Sequence, residues 1–256
     1  MKHLLLSLMA VATLCTSAVA QNKVKNLYAS SASLDLAQLQ NTEQTVQLNR
    51  YLFAGYNSLC VPMTVSAEQM AQSGQDIKLE RLVGIQQEGN TLNLYFLECT
   101  REGIEAGQPY LVYSPKAQYL RLKNTEATAV SEYLKTVRVS DGEGNIVSFG
   151  SNWESVQQVG RYGIPAKQDV YPLESVLVRT EADKTFLPTR CGFEWESQSA
   201  TATELCIKHI KSLSEATGIK AIDTQSTDNA IYDLSGRKVS TAKKGIVIEN
   251  GKKVLK

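Results

Sequence analysis

The side chains equipped for chemistry in this 256-residue chain are few and widely spaced. Its two histidines are His3 and His209, and the first lies in a stretch that reads as removed, so a histidine-dependent reaction must use His209. Cys206 nearby invites either a thiolate nucleophile or the start of a zinc site. If residues 204–210 form a strand, however, side chains three apart point to opposite faces and cannot converge on one atom. A surface histidine is the expectation. Glu194 and Glu196 flank Trp195 and, two apart on a strand, share a face, as a glycosidase-type carboxylate pair would require. Such a pair normally draws its two acids from opposite sides of a cleft, and neighbouring carboxylates on an open face are otherwise simply solvated. Trp153, Tyr162 and Trp195 have flat faces of the kind on which sugar rings stack. Trp195 reads as core, whereas Trp153 follows Gly150-Ser151-Asn152 and reads as loop, leaving Trp153 and Tyr162 as candidate ligand contacts. No phosphate loop, dinucleotide fingerprint or calcium loop is present, so neither a cofactor nor a metal is expected.

Residues 1–20 combine a basic start (Lys2, His3), an apolar run over 4–14 and small residues Ala18 and Ala20 before Gln21, the pattern of a secretory signal with an A-x-A cleavage site. The run is too short to span a bilayer, so no transmembrane segment is expected in the mature chain. The expected location is the periplasm, the outer surface or the medium. Cys60, Cys99, Cys191 and Cys206 then remain, an even count that permits two disulfides in an exported chain. Three pairings are possible. Cys60–Cys99 with Cys191–Cys206 joins segments that can be close in a sheet, and the alternative is buried thiols, which pack readily in a core. A formal net charge of +1 with interspersed signs argues against a nucleic-acid surface.

The elements that must position these residues are strands. Residues 23–44 read as a short strand followed by irregular chain. Over 45–53 the residues Val46, Leu48 and Leu52 alternate, with Arg50 interrupting the apolar face. A second apolar run covers 56–65, and Ser66 with Gln69 reads as a capping box on one helical turn. Residues 76–87 and 91–100 flank Glu88-Gly89-Asn90 as a hairpin. Gly103 and Gly107 are placed for positive φ ahead of a strand at 110–113, followed by strands at 118–122, 134–139 and 146–149, the last two joined by the loop 141–145. GIEAGQPY at 103–110 has a faint echo in GIPAKQDVY at 163–171, and both copies are expected to start a strand. Another strand follows at 204–210. Turn signals at roughly ten-residue intervals are those of an all-β sandwich or barrel.

The segments YNSLCVPMTV at 56–65 and IEAGQPYLV at 104–112 resemble a β-sandwich module of secreted and surface proteins of Bacteroidetes, which reads "LC-x-P" early and "AG-x-PYL" later. LPTRCGFEW at 187–195 is similar to that module's closing strand, with Cys191 and Gly192 in place of bulkier residues. The resemblance covers about the middle two-thirds of the chain and implies a scaffold without catalytic residues. IYDLSGRKV and KGIVIENGKKVLK, with turns at Ser235-Gly236 and Asn250-Gly251, resemble the C-terminal tails of exported Bacteroidetes proteins, including those sorted by type IX secretion.

The resulting expectation is an all-β antiparallel sandwich of many short strands over 21–212, with two related modules at about 45–124 and 125–212. A linker at 213–229 and a small β-hairpin tail at 230–256 follow. In function it is a non-catalytic exported binding or display protein whose partner is a surface glycan or protein. The alternatives are a secreted glycan or peptide hydrolase using Glu194, Glu196, Cys206 and His209, and a structural component of surface fibres.

Overall fold

A computed structural model describes residues 24–34, 36, 39, 45–73, 75–124, 133–157, 159–164, 177–181, 185–197 and 202–216, and the backbone of four short strands between 231 and 255. The expected signal peptide, the second copy of the turn echo beyond 164, the linker from 217 and the two tail turns lie outside the described residues. In chain order the elements are β1 (Lys25–Tyr28), β2 (Val46–Leu52), β3 (Gly55–Leu59), α1 (Ala67–Gln72), β4 (Lys78–Glu88), β5 (Thr91–Glu98), β6 (Tyr110–Ser114) and β7 (Gln118–Asn124). They continue with β8 (Val137–Ser140), β9 (Asn145–Ser151), β10 (Val156–Gln157), β11 (Tyr162–Gly163), β12 (Val178–Arg179), β13 (Thr185–Phe186), β14 (Cys191–Ser197) and β15 (Glu204–Ile210). The tail strands are β16 (Ile231–Tyr232), β17 (Lys238–Val239), β18 (Ile246–Glu249) and β19 (Lys252–Leu255), whose backbones pair among themselves. The fold is all-β, and antiparallel pairing dominates.

Local signals explain the elements. Ser66 and Gln69 form the reciprocal capping box on α1, with bonds of 3.1 and 2.9 Å, satisfying two donors that a helix start otherwise leaves open. Gly89 turns the β4–β5 hairpin at φ 60°. In the β8–β9 connection Asp141 accepts from the amides of Glu143 (2.7 Å) and Asn145 (3.1 Å) and from the Asn145 side chain (2.6 Å). Gly107 adopts φ 73°, and a Cβ there would lie 2.2 Å from the Tyr133 carbonyl oxygen, so the turn before β6 has no room for a side chain.

Three sheets hold the two large cores. The sheet β1-β2-β7 and the five-stranded sheet β15-β5-β4-β6-β3 share a core that includes Leu48, Leu52, Leu120, Leu122, Leu59, Leu79 and Val112. The opposite face of that five-stranded sheet packs with β12-β11-β14-β9-β8 through Leu92, Leu94, Phe96, Val147, Phe149 and Phe193. Phe149 stacks on Phe193 at 4.3 Å, and Phe96 meets both edge-on at 5.7 and 6.1 Å. Each such fully buried ring is worth roughly 1.5–3 kcal/mol against exposure.

The middle sheet is closed at one end and rolled. β15 pairs with β5 in parallel across all seven of its residues, and its start is tied to the hairpin turn by the amides of Thr203 and Glu204 on the Asn90 carbonyl (2.8 and 3.3 Å). Flat strands in the order β15-β5-β4-β6-β3 would hold the outer two about 19 Å apart. Yet Tyr56 on β3 stacks on His209 of β15 at a centroid distance of 4.2 Å. The sheet is therefore rolled until side chains of its outer strands touch, and the register shift at Leu82/Gly84 in β4 supplies a bend of the kind a β-bulge gives.

Candidate functional site: an arginine-floored groove

Arg50 occupies the inward side of β2, where the alternation of Val46, Leu48 and Leu52 calls for an apolar residue. Its guanidinium is held from one side only. Nη1 donates to the carbonyl oxygen (2.6 Å) and the Oγ1 (3.2 Å) of Thr189, both uncharged acceptors. Thr189 sits in the turn between Leu187 and Arg190, fully buried, at φ 69°. A left-handed backbone is rare for a β-branched residue and costs on the order of 1–3 kcal/mol. The strained carbonyl also accepts from the Cys60 amide at 2.9 Å, while the Cys191 amide donates to Ser58 Oγ at 2.9 Å, so β3 and the entry to β14 are laced together beneath Arg50.

Above this floor opens a groove of about 480 Å³ whose lining includes Arg50, Arg190, Arg179, Tyr51, Phe53, Tyr56, Phe186 and Cys191. Burial pulls the Arg50 value down to about 9, helped by the adjacent Arg190 charge, and burial lowers Arg190 as well. Among the described residues Glu181 is the one acid on the lining, and it is exposed. Burial pushes the Cys191 thiol up to about 12, which keeps it protonated and unreactive at neutral pH. Phe186 closes against Gly163 of β11, where a Cβ would come within 2.8 Å of the ring. At the rim Tyr51, 43 % exposed, meets Phe53 and Tyr119 edge-on at 5.3 Å each.

The residues singled out from sequence are dispersed by this fold. His209 is half-buried rather than on the surface, because the rolled sheet carries it over Tyr56. Its Nδ1 lies 2.5 Å from Glu80 Oε2, and the Tyr56 hydroxyl donates to Glu80 Oε1 at 3.2 Å. Its Nε2 is shielded from solvent and has no hydrogen-bond partner among the described residues. Leu205 and Ile207 enter the core on the His209 side of β15, and strand alternation sends Cys206 to the other face. Glu194 pairs with Arg161, and Glu196 with Arg138 at 3.2 Å, both carboxylates remaining exposed to solvent. None of Glu194, Glu196, Cys206 and His209 lines the groove.

Trp195 is half-buried at the margin of the core, donates from Nε1 to Asn145 at 3.2 Å, and meets Tyr162 with ring centroids 6.2 Å apart. Trp153 packs against both large cores, and its carbonyl accepts from Leu34 at 2.9 Å. The four described cysteines are thiols, not the Cys60–Cys99 and Cys191–Cys206 bridges expected. Cys60 and Cys99 enter different cores, and Cys191 faces the core from which Cys206 points away, so neither pair can meet.

The groove residues form no motif along the chain. The one sequence signal that could have found them is the charged residue at an inward strand position, Arg50. Comparison of the chain with family models, with curated proteins and with solved structures gives no match.

Proposed function

We propose that this chain is a non-catalytic exported protein that binds a ligand in the groove between β2–β3 and β11–β14. The observation that carries the reading is the lining itself: flat rings and hydrogen-bonding groups surround about 480 Å³, yet the only thiol and the only acid among the described residues there are a protonated Cys191 and an exposed Glu181. Concave, partly apolar walls with a few convergent polar groups are the common form of a binding site, and turnover would need a base or nucleophile aimed into it. The sequence supports export through residues 1–20, with a surface-protein scaffold and a sorting-type tail in the Bacteroidetes manner.

Two measurements test this. Amide NMR of the ¹⁵N-labelled chain against a panel of small ring compounds should show shifts clustered at Asn57, Gly163, Arg179 and Phe186. Shifts confined to Glu194, Glu196, Cys206 and His209, with turnover of ester or glycoside probes, would make the chain a hydrolase instead. Intact-mass analysis from the native host should give a chain starting at Gln21.

A further inference from the structure

We propose that the groove selects acidic ligands: an oxyanion (carboxylate, sulfate or phosphate) seats against Arg50 and Arg190 while an attached ring lies against Phe186 and the Tyr51–Phe53 rim. This rests on the groove being the binding site, and it adds the chemical class.

Charge is the first ground. A guanidinium that is 7 % exposed should have an anion beside it, since buried charges are paired or else destabilise the fold. Arg50 has no carboxylate partner among the described residues, and the charge that acts on it most strongly is a second cation, Arg190. The one acid on the groove lining among the described residues, Glu181, is exposed. Elsewhere Arg81 and Arg138 have acids, Glu102 and Glu196, and Arg101 and Arg121, with none among the described residues, are exposed to solvent as Arg50 is not. A bound oxyanion supplies the missing charge.

Geometry points the same way. Nη1 of Arg50 donates both bonds that Thr189 accepts, which leaves Nη2 and Nε, among the described residues, for the two-point grip a guanidinium makes on planar oxyanions. Thr189 holds that orientation at the expense of a left-handed backbone, and strain of this kind gathers at ligand sites. Gly163 lets the Phe186 ring approach the strand closely, and the exposed Tyr51 and Tyr119 rings form the adjoining rim. Ring faces beside a cationic floor suit a molecule with one acid group and one flat apolar face.

The experiment uses the full chain and five probes: inorganic sulfate, glucuronate against glucose, and benzoate against benzyl alcohol, each titrated by NMR at fixed ionic strength. Each acid is expected to bind at least tenfold more tightly than its neutral counterpart, with shifts at groove amides, and sulfate is expected to compete with both. Arg190→Met should weaken both acids about tenfold. Arg50→Met, with its fold checked by circular dichroism, should do so at least as strongly. Gly163→Ala, which displaces Phe186 towards the groove, should weaken the ring-bearing acids and leave sulfate within twofold. Glucuronate bound above benzoate identifies a saccharide acid, and the reverse an aromatic acid. Glucose and benzyl alcohol binding in the groove as tightly as the acids would overturn the acidic preference while preserving the groove. Sulfate binding as well as either ring acid would overturn the ring contact. No shift at groove residues with any probe would overturn both the groove as binding site and its acidic preference.

Discussion

Two clusters of inward-pointing polar residues, one around Glu80 and one around Arg50, differ in how their charge is settled. Glu80, with 7 % of its side chain exposed, has its oxygens engaged by Tyr56 and His209. Arg50 is equally buried but meets neutral oxygens and a neighbouring cation. In the first cluster the buried carboxylate has its partners within the protein. The second leaves a buried cation with no anion among the described residues. Burial by itself therefore does not separate the two clusters, whereas charge balance does.

The most forceful way to break this distinction is to show that any inward substitution in these sheets is ruinous, and Gly107→Val sets that scale. A branched side chain at φ 73°, 2.2 Å from the Tyr133 oxygen, should lower stability by about 3 kcal/mol or more. Gly89→Ala, at φ 60° with nothing within 4 Å of its Cβ, should lose only about 1 kcal/mol. Chemical denaturation compares the two, and equal midpoints would mean that the turn before β6 tolerates a side chain.

Next in size is the contrast itself. Glu80→Ala removes the acceptor of the Tyr56 hydroxyl bond and the partner of His209 Nδ1, and is expected to cost about 2–3 kcal/mol. Arg50→Met removes a buried charge that the protein does not neutralise, and should fall within about 1 kcal/mol of the parent or exceed it. If Arg50→Met loses as much as Glu80→Ala, Arg50 is a structural residue and the comparison fails.

The smallest effect lies in the alkaline limb. Burial raises Cys99 and Cys191 from 9.0 to about 12, and Tyr110 from 10.0 to about 12. Their contribution is whole below pH 9 and is lost as the pH climbs to 12, because the unfolded chain releases those protons first. Arg50 opposes them: its folded value of about 9 lies well below that of a free guanidinium, so the charge penalty present below pH 9 is relieved over the same range. Arg50→Met should therefore steepen the fall in stability between pH 9 and 12, as followed by urea unfolding at stepped pH. In the same window iodoacetamide should modify the half-buried Cys206 before Cys60, Cys99 or Cys191. Early labelling of Cys191 would mean that the groove opens beyond what its burial implies.

Much of the fold could be read ahead of the structure, because its signals are local. The capping box at Ser66 and Gln69, the Gly89 turn, the positive φ of Gly103 and Gly107 and most strands of the 45–151 region follow from neighbouring residues. What stayed hidden is what depends on pairing between distant segments. Nothing near residues 204–210 announces that they run parallel to β5, and without the roll of that sheet His209 reads as a surface residue. The cysteine pairing failed for a related reason: spacing along the chain says nothing about which of two cores a thiol enters. The groove was half legible. Arg50 broke an apolar alternation in plain view, but Arg190, Phe186 and Gly163 acquire meaning only once β11 and β14 are set beside β3.

The parallel seat of β15 also has a consequence in time. The outer edge of β5, with Leu92, Leu94 and Phe96 beside it, has no strand to pair with until the chain has been made through residue 210. Closing that gap spans more than a hundred residues, the sort of distant contact that slows folding and leaves strand edges open to other chains. For a chain made from its N-terminus, the exposed edge emerges well before its cover.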